Sequence, residues 1–349
     1  MPRPADVLRV WDTREATPPG FAAAWQRRLA CAPHHNFSMT LACLEWDAQH
    51  GRHARLALLD EGGAGAAIVL REESGEWHCG WPWRWQAVIE DPSREGPVGM
   101  SDAEAAWLFR HASALARPRR LRFFAPCPPP AGVPAVPAGR TLMQSLTHDD
   151  RAFLSAMDYS KRRGTRRARE RGCEVVEATS HELWRGFAEA QVDTKRRHGE
   201  CPEPVAEAPA YGEQWREWEL PWMWLLVAVR EGRVVSGFGL GLAEGGVLEG
   251  RTSATTEEGR KLGAFPLLIY EASVRARDRG YRWHNNGGDT FFKRDMVGTL
   301  AECVDIHCWL GGGPLWLAAN HGEALGRCLA RHARQLRQRL TRREAAKKD

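Results

Sequence analysis

The chain has 349 residues, 43% of them apolar, and its 49 basic and 44 acidic residues give a net charge of +5. This length suits two domains of ordinary size, and so mild a charge means that an anionic partner must be bound by a local patch. Because no run of about 18 uncharged apolar residues is present and residues 1–6 lack the apolar core of a secretory signal, we expect a cytoplasmic protein without a membrane span.

The first half alternates apolar runs with amphipathic segments, which predicts short strands and helices in turn. A glycine-bearing turn at 61–63 joins two of the runs as in a β-hairpin, and Ser38 is the predicted N-cap of the second helix. The predicted strands cover residues 7–11, 55–60, 66–71 and 120–125, and the predicted helices cover 21–29, 39–46 and 101–116.

Tryptophan is abundant, with 16 in the chain, and Trp77, Trp81, Trp83 and Trp85 fall within one short segment. Indole is large and carries an N–H group that needs a hydrogen-bond partner. These four side chains either close the core of the first domain or line a cavity, and the sequence leaves both interpretations open.

The proline-rich residues 126–138 predict a loop without regular structure, just before a change of domain. We therefore predict a first domain at 1–145, a second domain at 146–310 and a C-terminal segment at 311–349. Within that last segment, residues 323–343 have the pattern of a basic helix.

The second half contains three apolar runs, an amphipathic helix and a further short apolar run, in that order. Pro266 lies in the first turn of the amphipathic helix, and Gly280 ends it. The predicted strands cover 141–146, 173–177, 222–230, 233–241, 247–253, 281–284 and 301–310, and the predicted helices begin at Asp149 or cover 181–198 and 266–278.

Residues 161–171 (KRRGTRRARER) form a dense basic cluster in which Glu170 is the only acid. Such charge repels itself on a helix unless it is balanced, so the cluster is either a solvated face or a phosphate contact. The candidate phosphate-binding residues are Lys161, Arg162, Arg163, Arg166 and Arg167.

A polar segment at 285–288 follows the short strand and includes Asn286 and Gly287. It is rich in residues that tolerate left-handed backbone, which predicts a flexible loop. It leads into Asp289, Phe292 and Lys293, beyond the carboxyl end of a strand, where open α/β sheets usually bind ligands. We therefore predict the functional site here.

The order of features at 262–298 resembles the second half of the Fem-type aminoacyl-tRNA-dependent transferases. These features are a small-residue loop, Pro266, an amphipathic helix, a short strand, a glycine-rich turn and the pair Phe292-Lys293 before Gly298. The resemblance implies an α/β (α+β) fold of two GNAT-like domains, each a mixed, mainly antiparallel sheet flanked by helices. It also implies that residues 311–349 pack back on the first domain and that the tryptophan segment lies beside a substrate groove.

The activity implied by this resemblance is transfer of an aminoacyl group from aminoacyl-tRNA to an amine of a peptide or small metabolite, without a cofactor. Coenzyme-A-dependent GNAT domains bind pyrophosphate with a loop of the form R/Q-x-x-G-x-G/A at a helix N-terminus. At residues 260–266 Gly263 is present, but Phe265 replaces the second glycine and Pro266 lacks an N–H group. An acyl-CoA N-acyltransferase and a non-catalytic pair that binds RNA or protein remain the alternatives.

In the resembled family the Phe-Lys pair contributes to binding the acceptor end of tRNA. Carried onto this chain, Lys293 would neutralise a phosphate or the developing oxyanion, Phe292 would stack or shape the pocket, and Arg251 would assist substrate binding. The structural alternative is that Lys293 forms a local cap or salt bridge while Phe291 and Phe292 belong to the core. Glu249, Asp289 and His284 are alternative candidates for the general base. Each also has a structural explanation: Glu249 could pair with Arg251 or Arg233, Asp289 could cap the helix that carries Lys293, and His284 could belong to the core.

Nine cysteines are scattered through the chain without a C-x-x-C spacing, which argues against a disulfide framework and a zinc site. Cys303 and Cys308 flank His307, but alternation on a strand would send the two cysteines to opposite faces. We therefore predict no metal, and we exclude both cysteines as nucleophiles because neither has a partnered base.

Overall fold

The computed structural model describes residues 7–61, 64–81, 85–205 and 215–311. Within these ranges one sheet of thirteen strands forms the centre of the protein, and helices pack on both of its faces. Most neighbouring strands are antiparallel, which confirms the predicted α/β class with a mixed, mainly antiparallel sheet. None of the helices in these ranges has the length and apolar character needed to cross a membrane.

The first half largely follows the predicted order of strands and helices. Its strands are β1 (Val7–Asp12), β2 (Ala54–Glu61), β3 (Ala64–Glu73), β4 (Glu76–Cys79), β5 (Ala87–Ile89), β6 (Leu121–Ala125) and β7 (Ala135–Ser145). Its helices are α1 (Phe21–Ala30), α2 (Leu41–Gln49) and α3 (Asp102–Ala116).

The β2–β3 hairpin shows how alternation builds two cores from one sheet. Leu56 and Leu58 are buried on the face that also holds Trp25 of α1. Leu59 is buried on the opposite face, with Leu108 of α3. Because successive strand residues point to opposite sides, apolar side chains at both positions require a helix on each face.

The second half has the longer helices and the functional site. Its strands are β8 (Glu174–Glu177), β9 (Met223–Arg230), β10 (Arg233–Gly241), β11 (Leu248–Thr255), β12 (Trp283–Gly288) and β13 (Ala301–Gly311). Its helices are α4 (Asp150–Ala156), α5 (Tyr159–Glu170), α6 (His181–Arg197), α7 (Glu257–Leu262), α8 (Ala264–Asp278) and α9 (Phe291–Val297).

Strands β8 to β11 are antiparallel neighbours, and α8 then crosses the sheet to β12, which is parallel to β11. Two residue pairs join β11 to β12, namely Leu248 with His284 and Glu249 with Asn285. Beyond these pairs the described parts of the two strands are not paired, so a gap opens in the sheet. The order of three antiparallel strands, a helix and a further strand follows the order of elements predicted from the sequence.

The two halves exchange one strand each. β7 comes from the first half, but it pairs with β12 of the second half. β13 comes from the second half, but it pairs with β6 of the first half, and β7 and β13 also pair with each other. The division at residue 145 stays a prediction, because one sheet runs through both halves.

The predicted role of Ser38 is wrong. Thr40 caps α2, because its hydroxyl accepts a hydrogen bond from the backbone N–H of Cys43. Ser38 lies one turn earlier, in a short 3₁₀ helix that Asn36 caps. A single-turn helix before the main helix thus shifts the cap by two residues.

Two segments predicted as loops extend into strands. Residues 135–138 belong to β7, where Pro137 lies opposite His307 beside a shift in the register of the ladder. Residues 285–288 complete β12 through a bulge at Gly287, whose φ of +73° suits glycine. Trp83 and the predicted C-terminal helix at 323–343 lie outside the described residues.

Candidate active site

A cavity of about 180 Å³ lies at the gap between β11 and β12, on the side of the sheet that α8 covers. Strands β10, β11 and β12 and helices α8 and α9 all contribute to its walls. It is lined by Phe238, Gly250, Arg251, Thr252, Ser253, Phe265, Ile269, Asn286, Lys293 and Met296. Three residues predicted from the sequence, Lys293, Arg251 and Asn286, therefore meet at one cavity.

Lys293 lies in the first turn of α9, which Thr290 caps. Its ammonium donates a hydrogen bond of 2.6 Å to the backbone carbonyl oxygen of Asn286. Burial lowers the pKa of Lys293, and the carboxylate of Asp289 opposes that shift. An ammonium has three donors, so the lysine retains the capacity to bind an anionic oxygen in the cavity.

The bulge at the end of β12 sets the position of this lysine. The backbone N–H of Gly287 donates to the side-chain oxygen of Asn285 at 2.8 Å, and the hydroxyl of Thr141 donates to the same oxygen at 2.6 Å. A Cβ atom at Gly287 would lie 3.4 Å from the Lys293 ammonium nitrogen. Asn286 and Gly287 therefore support Lys293, and Thr141 of β7 is a supporting residue that no local pattern indicated.

Two exposed phenylalanines stand at the start of α9. Phe291 is 84% exposed and Phe292 is 48% exposed, so neither belongs to the core. Phe292 stacks on Phe265, with ring centroids 5.7 Å apart and planes at 15°. The ammonium of Lys161 lies 5.1 Å from the centre of the Phe292 ring. An aromatic and cationic surface thus adjoins the cavity.

In the loop that would hold pyrophosphate, the chain itself already uses one backbone donor. The N–H of Gly263 donates to the carbonyl oxygens of Gly259 and Arg260, and φ at Gly263 is +83°. A Cβ atom at Gly263 would lie 2.6 Å from the Cα atom of Gly164, because α5 packs directly on the loop. Phe265, in the place of the second glycine, contributes its ring to the cavity wall and to the stack with Phe292.

Helix α5 carries the predicted basic cluster, and its residues divide into two groups. Lys161 pairs with Asp295 at 3.6 Å. Arg162 donates to the carbonyl of Ser155 and Arg167 to that of Leu262. In contrast, Arg163 and Arg166 are exposed. Of the five predicted phosphate-binding residues, these two are therefore best placed to contact an external phosphate.

Arg251 lies between two cavities. Its guanidinium pairs with Glu217 at 3.0 Å and lies 4.9 Å from the centre of the Phe37 ring. Arg233, the other arginine suggested as a partner of Glu249, pairs with Glu231 and Glu258. Arg251 thus connects the cavity at Lys293 with a larger one beside Phe37.

Glu249 is buried, with 2% of its surface exposed, and it is not among the residues that line the cavity at Lys293. It lines a small space beside His34, Asn36 and Asn285, toward the first half of the protein. Glu249 therefore lies outside the cavity that Lys293, Arg251 and Asn286 line.

Asp289 does not cap α9, because Thr290 does so. Its carboxylate binds Arg294, lies 3.9 Å from Arg140 and accepts a hydrogen bond of 3.2 Å from the thiol of Cys303. The hydrogen bond from Arg294 lowers the pKa of Asp289 to about 2. So stable a carboxylate is a poor proton acceptor, which argues against Asp289 as the base.

His284 is fully buried and lies 5.8 Å from the ring of Phe238. Burial, with a smaller contribution from the charge of Lys293, lowers its pKa to about 3. It is therefore a neutral core histidine. Cys303 is likewise unreactive, because burial and its hydrogen bond to Asp289 raise the pKa of its thiol.

The larger cavity, of about 450 Å³, lies beside Trp81 of the tryptophan segment, but its charged residues were not predicted as site residues. Trp46, Trp81 and Trp222 line it together with buried Arg71 and Asp47. Trp77 and Trp85, in contrast, are buried in the first core, so the tryptophan segment serves both predicted purposes. An arginine at the end of the apolar run of β3 was the available signal, since a charge is rarely buried without a partner.

No family model matches the chain, and no curated protein is significantly similar to it. Among solved structures, the crystal structure of FemX has a TM-score of 0.59 and 12% identity, over 88% of this chain and 98% of FemX. The chain is similar to FemX in fold. This likeness confirms the Fem-like, GNAT-type fold predicted from residues 262–298.

Two further structures have lower scores. A conserved protein of unknown function from Bacteroides thetaiotaomicron VPI-5482 has a TM-score of 0.52 and 13% identity, over 82% of this chain and 97% of that protein. A tandem GNAT protein from the clavulanic acid biosynthesis pathway has a TM-score of 0.45 and 13% identity, over 87% and 97%. Since one fold hosts many functions, the chemistry has to be argued from the site.

Proposed function

We propose that this protein forms amide bonds by transferring an aminoacyl group from aminoacyl-tRNA to an amine. The observation that carries the proposal is the position of Lys293, a half-buried cation at the wall of a cavity where two strands of the sheet separate. A cation held there by the protein can stabilise the oxygen that becomes negative when an amine attacks an ester carbonyl.

The reaction needs no covalent intermediate with the protein. The amine nitrogen attacks the carbonyl carbon of the aminoacyl ester, a C–N bond forms, and the bond from that carbon to the ribose oxygen breaks. The amine gives up a proton and the departing ribose oxygen takes one. The cavity contributes orientation and Lys293 contributes charge, which together supply most of the acceleration expected of such a site.

The loop at Gly263 supports a tRNA donor over coenzyme A. A pyrophosphate needs free backbone N–H groups at the start of α8, but Gly263 uses its N–H within the chain and Pro266 has none. Helix α5 also covers this loop, with its Gly164 against Gly263. The same helix presents Arg163 and Arg166 to solvent, as contact with a nucleic-acid backbone requires.

The stacked pair Phe265 and Phe292 supports the same donor. A single-stranded end of tRNA can stack its bases on exposed rings while nearby cations contact its phosphates. Phe292 is half exposed, Phe291 is exposed, and Lys161 lies over the Phe292 ring. These groups lead from the surface of α5 to the cavity at Lys293.

The test is to incubate the protein with a pool of charged tRNAs and a panel of amines and to detect new amides by mass spectrometry. We expect product that disappears when the tRNA is digested with RNase beforehand and that is lost in Lys293→Met. Product that survives RNase but requires an acyl-CoA would identify the thioester as the donor. Binding of tRNA that survives Lys293→Met, with no amide from either donor, would favour a non-catalytic RNA-binding protein.

A further inference from the structure

The 450 Å³ cavity beside Phe37 is built by both halves of the chain. Helix α2 and strand β3 contribute Trp46, Asp47 and Arg71, and the second half contributes Trp222 and Arg251. Its volume falls within the range of small-molecule sites, of roughly 300–1,000 Å³. Since Arg251 also lines the cavity at Lys293, the two spaces are neighbours.

Arg71 is the most deeply placed cation of this cavity, with 9% of its side chain exposed. Its guanidinium binds the carboxylate of Asp47 and donates to the carbonyl oxygen of Ser38 at 2.7 Å. Its Nε–H has no hydrogen-bond partner within the described residues. The guanidinium has five N–H donors, of which the bonds to Asp47 and Ser38 use two, so it can still donate to an anion that enters the cavity.

The charged residues that line the cavity also favour binding of an anion. Asp47 is shared by Arg71 and Arg52, the latter at 2.9 Å, so one carboxylate faces two guanidinium groups. Glu217 balances Arg251 one to one. On the rim, Glu72 pairs with Arg14 and Arg119 outside the cavity. Glu73 also lines the cavity, but its side chain is 52% exposed and lies 3.4 Å from the ring nitrogen of His78. The excess of positive charge is therefore local, at Arg71 and Arg52, which share the carboxylate of Asp47.

The aromatic rings of the cavity hold its arginines in place. Arg52 lies 4.8 Å from the centre of the Trp46 ring, Arg71 lies 5.8 Å from that of Trp81, and Arg251 lies 4.9 Å from that of Phe37. Ring faces that bind guanidinium groups are not available to a ligand ammonium, while the edges of the stacked guanidinium groups remain able to donate. Recognition by this cavity therefore favours a carboxylate over an amine.

We propose that this cavity binds the carboxylate of the acceptor, and that the acceptor is an amino acid or short peptide with an apolar side chain next to that carboxylate. Trp222, 6% exposed, and the neighbouring indoles surround the apolar side chain. The amine at the other end of the molecule extends past Arg251 toward Lys293. This assignment rests on the proposed function, because it identifies the molecule whose amine is acylated.

The experiment compares matched ligands on the intact chain by isothermal titration calorimetry. The probes are glycyl-leucine and glycyl-tryptophan, each beside its C-terminal amide. We expect at least one free acid to bind at least about tenfold more tightly than its amide, because a charged hydrogen bond to a guanidinium is lost. Equal affinities for acid and amide, or no binding by any probe at millimolar concentration, would overturn the proposal.

Arg52→Gln tests the charge without disturbing the buried pair, since Arg52 is 56% exposed and Arg71 still balances Asp47. We expect this variant to bind the acid several-fold more weakly and the amide unchanged, while Arg233→Gln, which alters a residue outside the cavity, changes neither. An Arg52→Gln protein that keeps its full preference for the acid would count against the proposal.

The binding assay separates this proposal from the proposed function. Lys293→Met should bind the preferred dipeptide as tightly as the unaltered protein, because Lys293 lies in the other cavity. If the protein binds the acid more tightly than the amide but transfers nothing from tRNA, the carboxylate site is supported and the proposed tRNA donor is rejected. If the protein transfers the aminoacyl group to the acid and the amide at equal rates, the proposed tRNA donor is supported and the carboxylate site is rejected.

Discussion

The ammonium nitrogen of Lys293 lies 2.6 Å from the carbonyl oxygen of Asn286, seven residues earlier in the chain. Asn286 belongs to the bulged end of β12, and Lys293 belongs to the first turn of α9. This hydrogen bond restrains a long, flexible side chain at the wall of the cavity. The position of the charge is therefore set by the backbone of the strand that forms the gap.

Replacing Lys293 with methionine removes the charge but keeps an unbranched apolar chain of similar length. We expect aminoacyl transfer to fall by about 100-fold or more in kcat, the loss typical of removing one oxyanion donor. Lys261→Met is the matched control, because Lys261 is 74% exposed and pairs with Glu257 on α7. Equal rates for the two variants would exclude Lys293 from catalysis.

As pH rises, the rate of transfer should begin to fall at a lower pH than it would if Lys293 had the ordinary pKa of a lysine. Burial lowers the pKa of Lys293, so its ammonium loses its proton below the usual value of about 10.4. The charged form stabilises the oxyanion, and activity is therefore present below this lowered pKa and lost above it. A pH–rate profile, corrected for spontaneous ester hydrolysis, checks this. In Lys293→Arg, whose side chain stays protonated, the residual activity should lack the alkaline loss.

Alanine substitutions at two glycines in contact, Gly263 and Gly164, should have different effects on the stability of the protein. Gly263→Ala should destabilise the protein by about 2 kcal/mol or more, because φ is +83° and the new Cβ would lie 2.6 Å from Gly164. Gly164→Ala places its Cβ 3.5 Å from Gly263, an ordinary contact, inside helix α5. We expect that change to be neutral or to stabilise by up to about 1 kcal/mol. Urea denaturation measures the free energy of unfolding of both variants. A large decrease in Gly164→Ala would show that α5 packs too tightly on the loop to accept a methyl group.

Binding to tRNA should depend on salt through the exposed arginines of α5. Changing both Arg163 and Arg166 to glutamine removes two phosphate contacts. The slope of log K against log salt should become shallower by roughly 1 to 2. Filter binding at several salt concentrations measures this slope, with Arg233→Gln as a control because that exposed arginine pairs with its own carboxylates. An unchanged slope would show that tRNA does not bind through Arg163 and Arg166 of α5.

Asp289 should matter for stability and not for transfer. The hydrogen bond from Arg294 lowers its pKa to about 2, below the value of about 3.9 in an unfolded chain, and its side chain is 8% exposed. The resulting stability is present above about pH 4 and is lost as pH falls toward about 2. Asp289→Asn should therefore lower the free energy of unfolding by roughly 1–2 kcal/mol near neutral pH and by much less near pH 2.

Denaturation of Asp289→Asn at both pH values measures this difference. Asp305→Asn, whose side chain is 66% exposed, is the control and should change little. The rate of transfer should remain within a factor of about two of the original, because Asp289 does not face the cavity. A loss of about 1,000-fold with normal stability would restore Asp289 as the general base.

The strands and helices with a regular pattern could be predicted from the sequence, because local alternation or helical period determines which face is buried. The hairpin of β9 and β10 and helix α3, with its capping box at Ser101 and Glu104, are examples. The second part of β12 was wrongly predicted as a loop, because Asn285, Asn286 and Gly287 are each unfavourable in a strand when considered alone. They are stabilised there by Thr141, 144 residues away from Asn285, and such a contact has no local signal.

The candidate site could be predicted in part for the same reason. Lys293 follows a strand, a turn and a helix cap in unbroken sequence, so its neighbourhood is local and could be recognised. Arg71 and Asp47 are 24 residues apart and come from a strand and a helix, so their pairing exists only after folding. The direction of the Glu249 side chain depends on how β11 pairs with strands on both sides, which the sequence does not specify.

The exchange of β7 and β13 makes the two halves mutually dependent for folding. Removing residues 135–145 would deprive β12 of its neighbour, and removing 301–311 would leave β6 with an unpaired edge. Denaturant should therefore unfold the described body in one cooperative transition, and fragments cut between the halves should recover structure only when mixed. The gap between β11 and β12 is thus held at a fixed width by the hydrogen-bonded backbone of both halves.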